Sequence, residues 1–506
     1  MTCRNVVPFW INNTSGDAGL NLSDIFCFKD KREEWHHVLL SGFTFDLPWV
    51  FEAAPCLSSV QYTFVILSGQ KNTGTHRLHN GVWTTVGAGS SFEPVLRQHL
   101  TTAKFAVVEP SLPFPFGTHH SKFAIGLNRF GVRVAIFTAN YTKEDWYQKR
   151  QGIFVQDFPF DRRVKGEDRH RQRPNDFSLY LHTYLSGCGL GERTAAVPGL
   201  AFFSTNFLQN FDFRDAAVRL VGSFPGVWDA TAPLSGLGRL ASVLKDVDTT
   251  PAGRGASILS WQFSSHGKLP DPFLNEVVHT MGGGRCCLVN IVYPTETEVR
   301  RSAEGWAGGL SIPITMKNWS DYFNPRLYRW CCACCEKETS AKHCLPHIKS
   351  YALLSGDRSS LYWCLMTSAN LSQAAWGMPV SGNRRKILSY ELGVVYTANS
   401  AVSSPFTVTL SHPFAPPGGD NLHWTPFCGG SVGMALPYNV LHPVPYDTTA
   451  LLAEGKAVPA DTLDVPWVVD LPHRGLDSLG RTFSEVVGAY QGGSPGLTGK
   501  KRCRDS

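Results

Sequence analysis

The sequence predicts a two-domain α/β protein in which two similar domains, each a mixed sheet flanked by helices, meet at a shared site. Three observations predict this fold class. The chain has 506 residues, enough for two to four domains. Its 43% apolar and only 17% charged residues are sufficient for a large core. A short His-x-Lys motif occurs twice, which favours a pseudo-two-fold arrangement with the site at the domain interface.

The first copy of the motif lies in the segment GTHHSK, which contains His120 and Lys122. The run VRVAIFTAN follows and ends at Asn140, 20 residues after the histidine, and Trp146 comes six residues later. This run has the length and the β-branched and aromatic composition of a strand. The next segment, TKEDWYQK, begins with a capping residue and is typical of a short helix.

The second copy lies in the segment LPHIK, which contains His347 and Lys349. The run SLYWCLMTSAN ends at Asn370, 23 residues after the histidine, and Trp376 again comes six residues later. The segment SQAAW after it is typical of a short helix. One His-x-Lys pair alone is weak, but two copies with matched asparagine and tryptophan predict two equivalent half-sites.

Side chains alternate between the two faces of a strand, so the histidine and lysine of each copy should point the same way. His119 should point the other way and is expected to pack or to support its neighbours. Trp146 and Trp376 are expected to pack the short helices onto the sheets. The sequence thus predicts a compact anion site built from two half-sites.

This set of residue types suits the cleavage of a phosphodiester, whose charged oxygens must be held while nucleophile and leaving group stand in line. Two lysines and two asparagine amides are suitable donors to those oxygens. Because histidine has a pKa near 6.5, one imidazole can attack while another donates a proton. No carboxylate cluster or His/Asp ligand set accompanies the motifs, so we expect no cofactor and no metal.

The motifs GTHHSK, TANYTKEDWYQKRQG, LPHIKSY, TSANLSQAAWG and SYELG resemble those of the tyrosyl-DNA phosphodiesterase family, a branch of the phospholipase D superfamily. The resemblance is dense at the motifs and extends more weakly from about Phe43 to Glu391. The superfamily at large carries an aspartate five residues after the lysine. Leu127 and Leu354 occupy those positions here. Both departures fit the tyrosyl-DNA branch, which uses asparagine in place of that acid.

The resemblance implies that His120 attacks the phosphorus, and that His347 protonates the leaving tyrosine and then deprotonates water. The groups that it implies to hold the phosphoryl oxygens are Lys122, Lys349, Asn140 and Asn370. In the family a glutamine and a glutamate orient the two histidines, and Gln151 and Glu391 occupy the matching positions. Which of them serves which histidine is left open.

The resemblance also implies a groove for single-stranded DNA, for which hydroxyls, backbone amides and stacked aromatics are suited. The residues expected to line it are Phe116, Ser264, Ser265, Lys268, Lys317 and Ser372. The implied partners are single-stranded or nicked DNA 3′ ends that carry a tyrosine or peptide left by topoisomerase I. A monomer that binds no membrane is expected.

The predicted function is therefore that of a DNA repair hydrolase that leaves a 3′-phosphate through a covalent phosphohistidine. Two alternatives remain. Another phosphodiesterase of the superfamily, a phospholipase or a nuclease, would share both histidines, although the missing aspartates and the SYELG segment argue against it. A non-catalytic DNA-end binding protein could keep the groove, although two complete half-sites argue against that.

The expected organisation is an N-terminal domain over residues 1–207, a C-terminal domain over 208–487 and a basic, disordered tail over 488–506. The tail ends in KKRCRDS, which could act as a nuclear import signal, so we expect the nucleus, while an organelle is also compatible. No apolar run approaches the ~18 residues needed to span a bilayer, and no signal peptide is recognisable. We therefore expect an intracellular protein with mainly reduced cysteines.

Two other segments carry alternatives. Residues 162–173 are strongly basic and are expected to form a solvated loop, with a phosphate-contacting arm as the alternative. The run CCACC over 331–335, with His343 and Cys344 nearby, could bind zinc. Structural zinc sites need separated ligand pairs, so a reduced loop without metal is favoured.

Overall fold

The computed structural model describes the residues 10–11, 19–27, 34–70, 76–79, 82–85, 92–161, 175–190, 201–203, 206–247, 255–330, 344–397, 406–408, 433–434, 436–438, 440, 442–446 and 464–493. Within these residues the strands form two nine-stranded sheets and two smaller ones. The basic segment 162–173 and the cysteine run 331–335 lie outside the described residues. The expectations for those two segments stay predictions.

The first sheet is built from the N-terminal part of the chain. Its strands, with the short β9 that lies outside it, are β1 Trp10–Ile11, β2 His37–Gly42, β3 Thr63–Ser68, β4 His76–His79, β5 Val82–Thr85, β6 Lys104–Glu109, β7 Phe123–Leu127, β8 Gly131–Phe137, β9 Lys149–Arg150 and β10 Gly152–Pro159. Their order in the sheet is β1-β10-β8-β7-β2-β3-β6-β4-β5.

The second sheet and a small sheet beside it come from the C-terminal part. The strands, with the short β16 that pairs with β9 outside both sheets, are β11 Arg219–Ser223, β12 Gly226–Asp229, β13 Ile258–Gln262, β14 Leu288–Tyr293, β15 Leu327–Arg329, β16 Leu345–Pro346, β17 Lys349–Leu354, β18 Ser360–Thr367, β19 Met378–Val380, β20 Arg384–Ile387, β21 Glu391–Thr397, β22 Phe406–Val408 and β23 Gly433–Met434. The main order is β11-β21-β18-β17-β13-β14-β15, with β22 paired to β18 and β23 paired to β22. The small sheet has the order β12-β20-β19.

The duplication seen in the sequence is also present in the topology. The order β10-β8-β7-β2-β3-β6 in the first sheet matches β21-β18-β17-β13-β14-β15 in the second. In each set the first three pairings are antiparallel and the last two are parallel. The predicted pair of similar α/β units with mixed sheets is thus confirmed, whereas the boundary at residue 207 stays a prediction.

The helix Asp176–Gly187 packs into the core between the two sheets, and the other α-helices pack on the opposite faces of the sheets. The α-helices are α1 Leu22–Phe26, α2 Leu47–Ala53, α3 Glu93–His99, α4 Lys143–Tyr147, α5 Asp176–Gly187, α6 Gly236–Leu244, α7 Asp271–Met281, α8 Glu296–Arg301, α9 Trp306–Gly309, α10 Gln373–Trp376 and α11 Phe483–Gly493. The two helices predicted after the motif asparagines are α4 and α10. Their N-caps are Thr142 and Ser372, whose hydroxyls accept backbone N–H groups. None of the helices in the described segments is long and apolar enough to cross a membrane.

The inner faces of the two sheets share one hydrophobic core, which joins the halves. Phe123 and Ile136 of the first sheet and Met366 and Leu392 of the second belong to this buried cluster. The two sheets approach closely at Gly152, where an added Cβ would lie 2.5 Å from Met366 Sδ. Only glycine therefore fits there without a shift of the Met366 and Ile348 side chains.

The tail predicted to be disordered from residue 488 begins instead inside a helix. α11 runs from Phe483 to Gly493, so residues 488–493 are helical, and 494–506 lie outside the described residues. Thr482 and Glu485 form reciprocal cap hydrogen bonds at 3.3 and 2.7 Å. Val486 is buried, and Phe483 packs against Trp306. The composition of the tail does not show this tertiary contact, which explains the error.

Candidate active site

The first motif histidine is held by the other half of the chain. The backbone N–H of His120 donates to the carbonyl of Tyr390 at 2.9 Å. The next residue, Glu391, opens β21 and places Oε2 3.0 Å from His120 Nδ1. Ser368 Oγ donates to the same carboxylate oxygen at 2.5 Å and accepts from the N–H of Leu392 at 3.1 Å. Glu391 is fixed against Nδ1, which leaves Nε2 as the ring nitrogen for chemistry.

The second motif histidine is held in the same way by the first half. β16 pairs in parallel with β9, and the N–H of His347 donates to the carbonyl of Arg150 at 3.0 Å. The next residue, Gln151, places Nε2 3.2 Å from His347 Nδ1. Thr138 Oγ1 donates to Gln151 Oε1 at 2.7 Å and accepts from the N–H of Gly152 at 3.0 Å. Each histidine therefore receives its orienting residue from the opposite half.

The structure places Glu391 against His120 and Gln151 against His347, a pairing that the sequence left open. The hydroxyls of Thr138 and Ser368, which fix these residues, were missed from the sequence. Each stands two positions before a motif asparagine, in T-A-N and S-A-N. That shared spacing is the signal that could have revealed them.

Both motif lysines are buried beside the histidines. Lys122 Nζ donates to the carbonyl of His120 at 2.7 Å, and Lys349 Nζ donates to that of His347 at 2.6 Å. Burial lowers the pKa of Lys122 to about 8, although nearby carboxylates act against this. Burial and the charge of Lys122 lower the pKa of Lys349 well below its usual value. A bound anion would favour the charged form of both lysines.

The motif asparagines occupy equivalent places after β8 and β18. Trp146 Nε1 donates to the Asn140 carbonyl and Trp376 Nε1 donates to the Asn370 carbonyl, both at 3.0 Å. Asn370 Oδ1 accepts the N–H of Ser265 at 3.0 Å, so its amide NH2 group is left for another acceptor. Asn140 Oδ1 is buried and has no hydrogen-bond partner among the described residues.

His119 and the two tryptophans pack as the sequence predicts. His119 is fully buried, with Nε2 2.8 Å from Ser41 Oγ. Burial lowers its pKa to about 3, so it is neutral at physiological pH. Trp146 and Trp376 are also fully buried.

The surroundings of the two motif histidines lower the pKa of each to a different extent. Burial lowers the pKa of His120, and the adjacent Glu391 carboxylate partly offsets the effect. The pKa of His347 lies well below its usual value, because burial and the charge of Lys349 outweigh the carboxylate of Asp145. Burial would raise the pKa of Glu391, but cationic neighbours and hydrogen bonds lower it and keep the carboxylate ionised.

Three of the residues expected to face DNA are exposed. Phe116 is 94% exposed and adopts a positive φ of 64°. A non-glycine residue in this conformation is uncommon, and such strained positions cluster at binding sites. Lys268 and Lys317 are also exposed, the latter in a short 3₁₀ turn over Met316–Asn318.

The three serines expected in the same groove lie deeper. Ser264 is only 2% exposed, and its N–H donates to Asn370 Oδ1 at 3.2 Å. Ser264 thus supports the asparagine instead of lining an open surface. Ser265 is half-buried beside it, and Ser372 is the half-buried N-cap of α10 that accepts the N–H of Ala375 at 3.3 Å.

No group of three or more His, Cys, Asp or Glu side chains that could hold a metal ion occurs in the part of the chain that the structure describes. That part does not include the cysteines of 331–335. The expectation of metal-independent chemistry therefore stays a prediction.

Two copies of one α/β unit, each contributing a His-x-Lys segment to one site, define a member of the phospholipase D superfamily. The fold is that of the yeast tyrosyl-DNA phosphodiesterase crystal structure, with a TM-score of 0.60, 19% identity, and coverage of 87% of this chain and 98% of that chain. A family model described as tyrosyl-DNA phosphodiesterase matches residues 10–447. The chain belongs to the tyrosyl-DNA phosphodiesterase family.

Curated relatives match over most of the chain. Tyrosyl-DNA phosphodiesterase 1 of Arabidopsis thaliana is 31% identical over 392 residues, which are 74% of this chain and 59% of that protein. A probable tyrosyl-DNA phosphodiesterase of Caenorhabditis elegans is 28% identical over 328 residues, 60% of this chain and 68% of that protein. The match thus spans less than two thirds of the Arabidopsis relative's length.

Proposed function

We propose that this chain hydrolyses the phosphodiester bond between a DNA 3′ end and a tyrosine, such as a stalled type IB topoisomerase leaves, and releases a 3′-phosphate. The observation that carries the proposal is the pair of cross-held histidines, His120 on Glu391 and His347 on Gln151. A carboxylate against Nδ1 makes an imidazole more basic and suits a nucleophile. The names of the relatives, which refer to the tyrosyl-DNA bond, supply the substrate class.

In the first step, the lone pair of His120 Nε2 forms a bond to phosphorus while the bond from phosphorus to the tyrosine oxygen breaks. The electron pair of the broken bond goes to the tyrosine oxygen, which takes a proton from Nε2 of His347. Burial disfavours the protonated form of this histidine in the free site, and the negative charge of the bound phosphodiester favours it. Because free tyrosine has a pKa near 10, this proton transfer assists departure. The DNA is left attached to His120 as a phosphohistidine.

In the second step, neutral His347 Nε2 removes a proton from a water molecule as the water oxygen attacks phosphorus. The N–P bond breaks, and its electron pair returns to His120 Nε2. The DNA leaves with a 3′-phosphate. Both histidines return to their starting protonation states, so the cycle consumes only water.

The lysines and asparagines stabilise the phosphoryl group in both steps. Burial opposes the charge of Lys122 and Lys349, so a phosphoryl anion beside them favours their charged forms and is held by them. The free NH2 group of Asn370 is oriented by the amide of Ser265. Donors fixed before the substrate arrives need no reorganisation during the reaction.

The DNA strand would approach past Phe116, whose exposed ring is suited to stack on a base, while Lys268 and Lys317 neutralise backbone phosphates. This arrangement reads no base edge and is tolerant of sequence. We also propose a monomer that acts in the nucleus. A basic C-terminal tail supports that location.

The proposal is tested with a single-stranded oligonucleotide that carries a 3′-phosphotyrosine, incubated with the purified chain in excess EDTA. We expect complete conversion to a 3′-phosphate end. The His120→Ala variant should give no product. The matched control replaces His279, an exposed histidine of α7, by alanine and should behave as the wild type. No conversion by folded protein, with or without added zinc or magnesium, would favour the DNA-end binding alternative.

A further inference from the structure

A buried carboxylate in the first half has no counterpart in the second. Asp145 stands five residues after Asn140, and the same position after Asn370 is Ala375. Asp145 Oδ2 accepts the N–H of Asn140 at 2.6 Å and lies 3.4 Å from His347 Nδ1. The duplication therefore breaks at the residue that lies beside the second histidine.

Gln151, as placed, offers that histidine a donor and no acceptor. Its Oε1 takes the hydroxyl proton of Thr138 at 2.7 Å, and its Nε2 donates to the backbone carbonyl of Asp145 at 3.2 Å. These two bonds fix the amide so that an N–H group points at His347 Nδ1 at 3.2 Å. In this orientation Gln151 binds an unprotonated Nδ1.

The proposed acid and base steps of His347 need the opposite state. Both steps run through Nε2, so Nδ1 must keep its proton when His347 is the imidazolium and again when it is the base. An Nδ1–H group needs an acceptor, and the carboxylate of Asp145 is within reach. The carboxylate is ionised, because His347, Lys149 and the Asn140 N–H outweigh the effect of burial and lower the pKa of Asp145.

We propose that Asp145 is a positioning residue that accepts Nδ1–H of His347 in the forms that act as acid and base, as Glu391 does for His120. The inference rests on the proposed function and deepens it. Lys149 holds the other carboxylate oxygen of Asp145 at 3.2 Å and is itself 3.3 Å from Glu304. These ion pairs fix the Asp145 carboxylate through the oxygen that does not face His347.

The first test is Asp145→Asn, which keeps the shape and an acceptor for the Asn140 N–H but removes the charge. We expect turnover of the 3′-phosphotyrosine substrate to fall about 30-fold or more, since general acid–base catalysis contributes about 10²–10⁴-fold. With 4-nitrophenol in place of tyrosine, the first step needs less acid assistance. The variant should then release one nitrophenolate per enzyme in a burst and accumulate the covalent DNA adduct, because the water step remains slow.

The second test moves the carboxylate. Gln151→Glu in the Asp145→Asn background places a carboxylate at the position now 3.2 Å from Nδ1, and should recover at least about 10-fold of the loss. The same Gln151→Glu change in the wild type should give no gain, because two carboxylates would then repel each other. A merely structural role for Asp145 predicts no such reversal between backgrounds.

The matched control is Glu144→Gln, which removes an exposed carboxylate of α4 one position before Asp145. It should stay within about 2-fold of the wild type, as expected of a substitution without catalytic contact. Wild-type turnover in the same assay separates the two claims. If the wild type is inactive, the proposed function fails. If the wild type is active and Asp145→Asn matches it, or Gln151→Glu lowers both backgrounds equally, the assignment of Asp145 is overturned.

Discussion

The two half-sites share a backbone and differ in charge. In both, a histidine N–H pairs with the carbonyl of the residue before the orienting side chain, and a hydroxyl two residues before an asparagine fixes that side chain. The first histidine faces the carboxylate of Glu391. The second faces the amide of Gln151, and a carboxylate oxygen of Asp145 lies 3.4 Å from its Nδ1. A duplicated scaffold can thus give two identical imidazoles different tasks by changing one neighbour of each.

The largest effect is expected from His120→Ala, which removes the proposed nucleophile and leaves the second half-site intact. Turnover should fall by at least about 10⁴-fold, because the lone pair that attacks phosphorus is removed and the proposed mechanism needs His347 as the acid and base. The measurement is product formation at single-turnover enzyme excess, with circular dichroism to show folding. Residual activity within 100-fold of the wild type would assign the nucleophile elsewhere.

A smaller effect is expected from Glu391→Gln, which makes the first half-site resemble the second. The carboxylate raises the pKa of His120, so its removal lowers that pKa further. Since His120 attacks in its neutral form, the acidic limb of the kcat/KM profile should move to lower pH, and the plateau should fall about 10²-fold. A limb that stays in place, measured from pH 4 to 9, would assign that limb to another group.

The hydroxyls of Ser368 and Thr138 test whether the half-sites differ through the charge of Glu391. Ser368→Ala removes a hydrogen bond to a carboxylate, and Thr138→Ala removes one to a neutral amide. Bonds to charged groups contribute about 1.5–3 kcal/mol and neutral ones about 0.5–1.5, so the rate should fall about 10- to 100-fold for the former and about 10-fold or less for the latter. Equal losses in kcat/KM would show that the charge of Glu391 does not distinguish the half-sites.

The smallest effect on turnover is expected from Gly152→Ala, at a contact between the two sheets, where the main change should be in stability. Gly152→Ala inserts a Cβ 2.5 Å from Met366 Sδ and should lower the free energy of unfolding by about 1–3 kcal/mol. Gly488→Ala in α11 is the matched control, since its Cβ meets nothing within 4 Å, and should stabilise by about 0.5–1 kcal/mol. Urea unfolding curves measure both. A Gly152→Ala variant as stable as the wild type would mean that the shared core adapts.

The strands and helices next to the two motifs could be predicted from the sequence, because their signals are local and occur twice. The β-rich runs before Asn140 and Asn370 form β8 and β18, and the capped segments after them form α4 and α10. The composition of a strand and the capping residue of a helix lie within about ten residues of sequence. Both can therefore be recognised without knowledge of the tertiary structure.

What depends on contacts between the halves could not be read. His120 and Glu391 are 271 residues apart, and Gln151 and His347 are 196 apart, so their pairing follows from how the sheets meet. Asp145 was missed because the second copy has Ala375 at the equivalent position, and comparison of the copies discards residues that differ.

In the proposed mechanism His120 from one half is the nucleophile, and His347 from the other half is the acid and base. The most direct test is the His347→Ala variant with an oligonucleotide carrying a 3′-(4-nitrophenyl phosphate), whose leaving group needs little acid assistance. After denaturation and digestion at neutral pH, mass spectrometry should find the DNA on the peptide that contains His120. An adduct on any other residue, or continued cleavage without an adduct, would contradict this account.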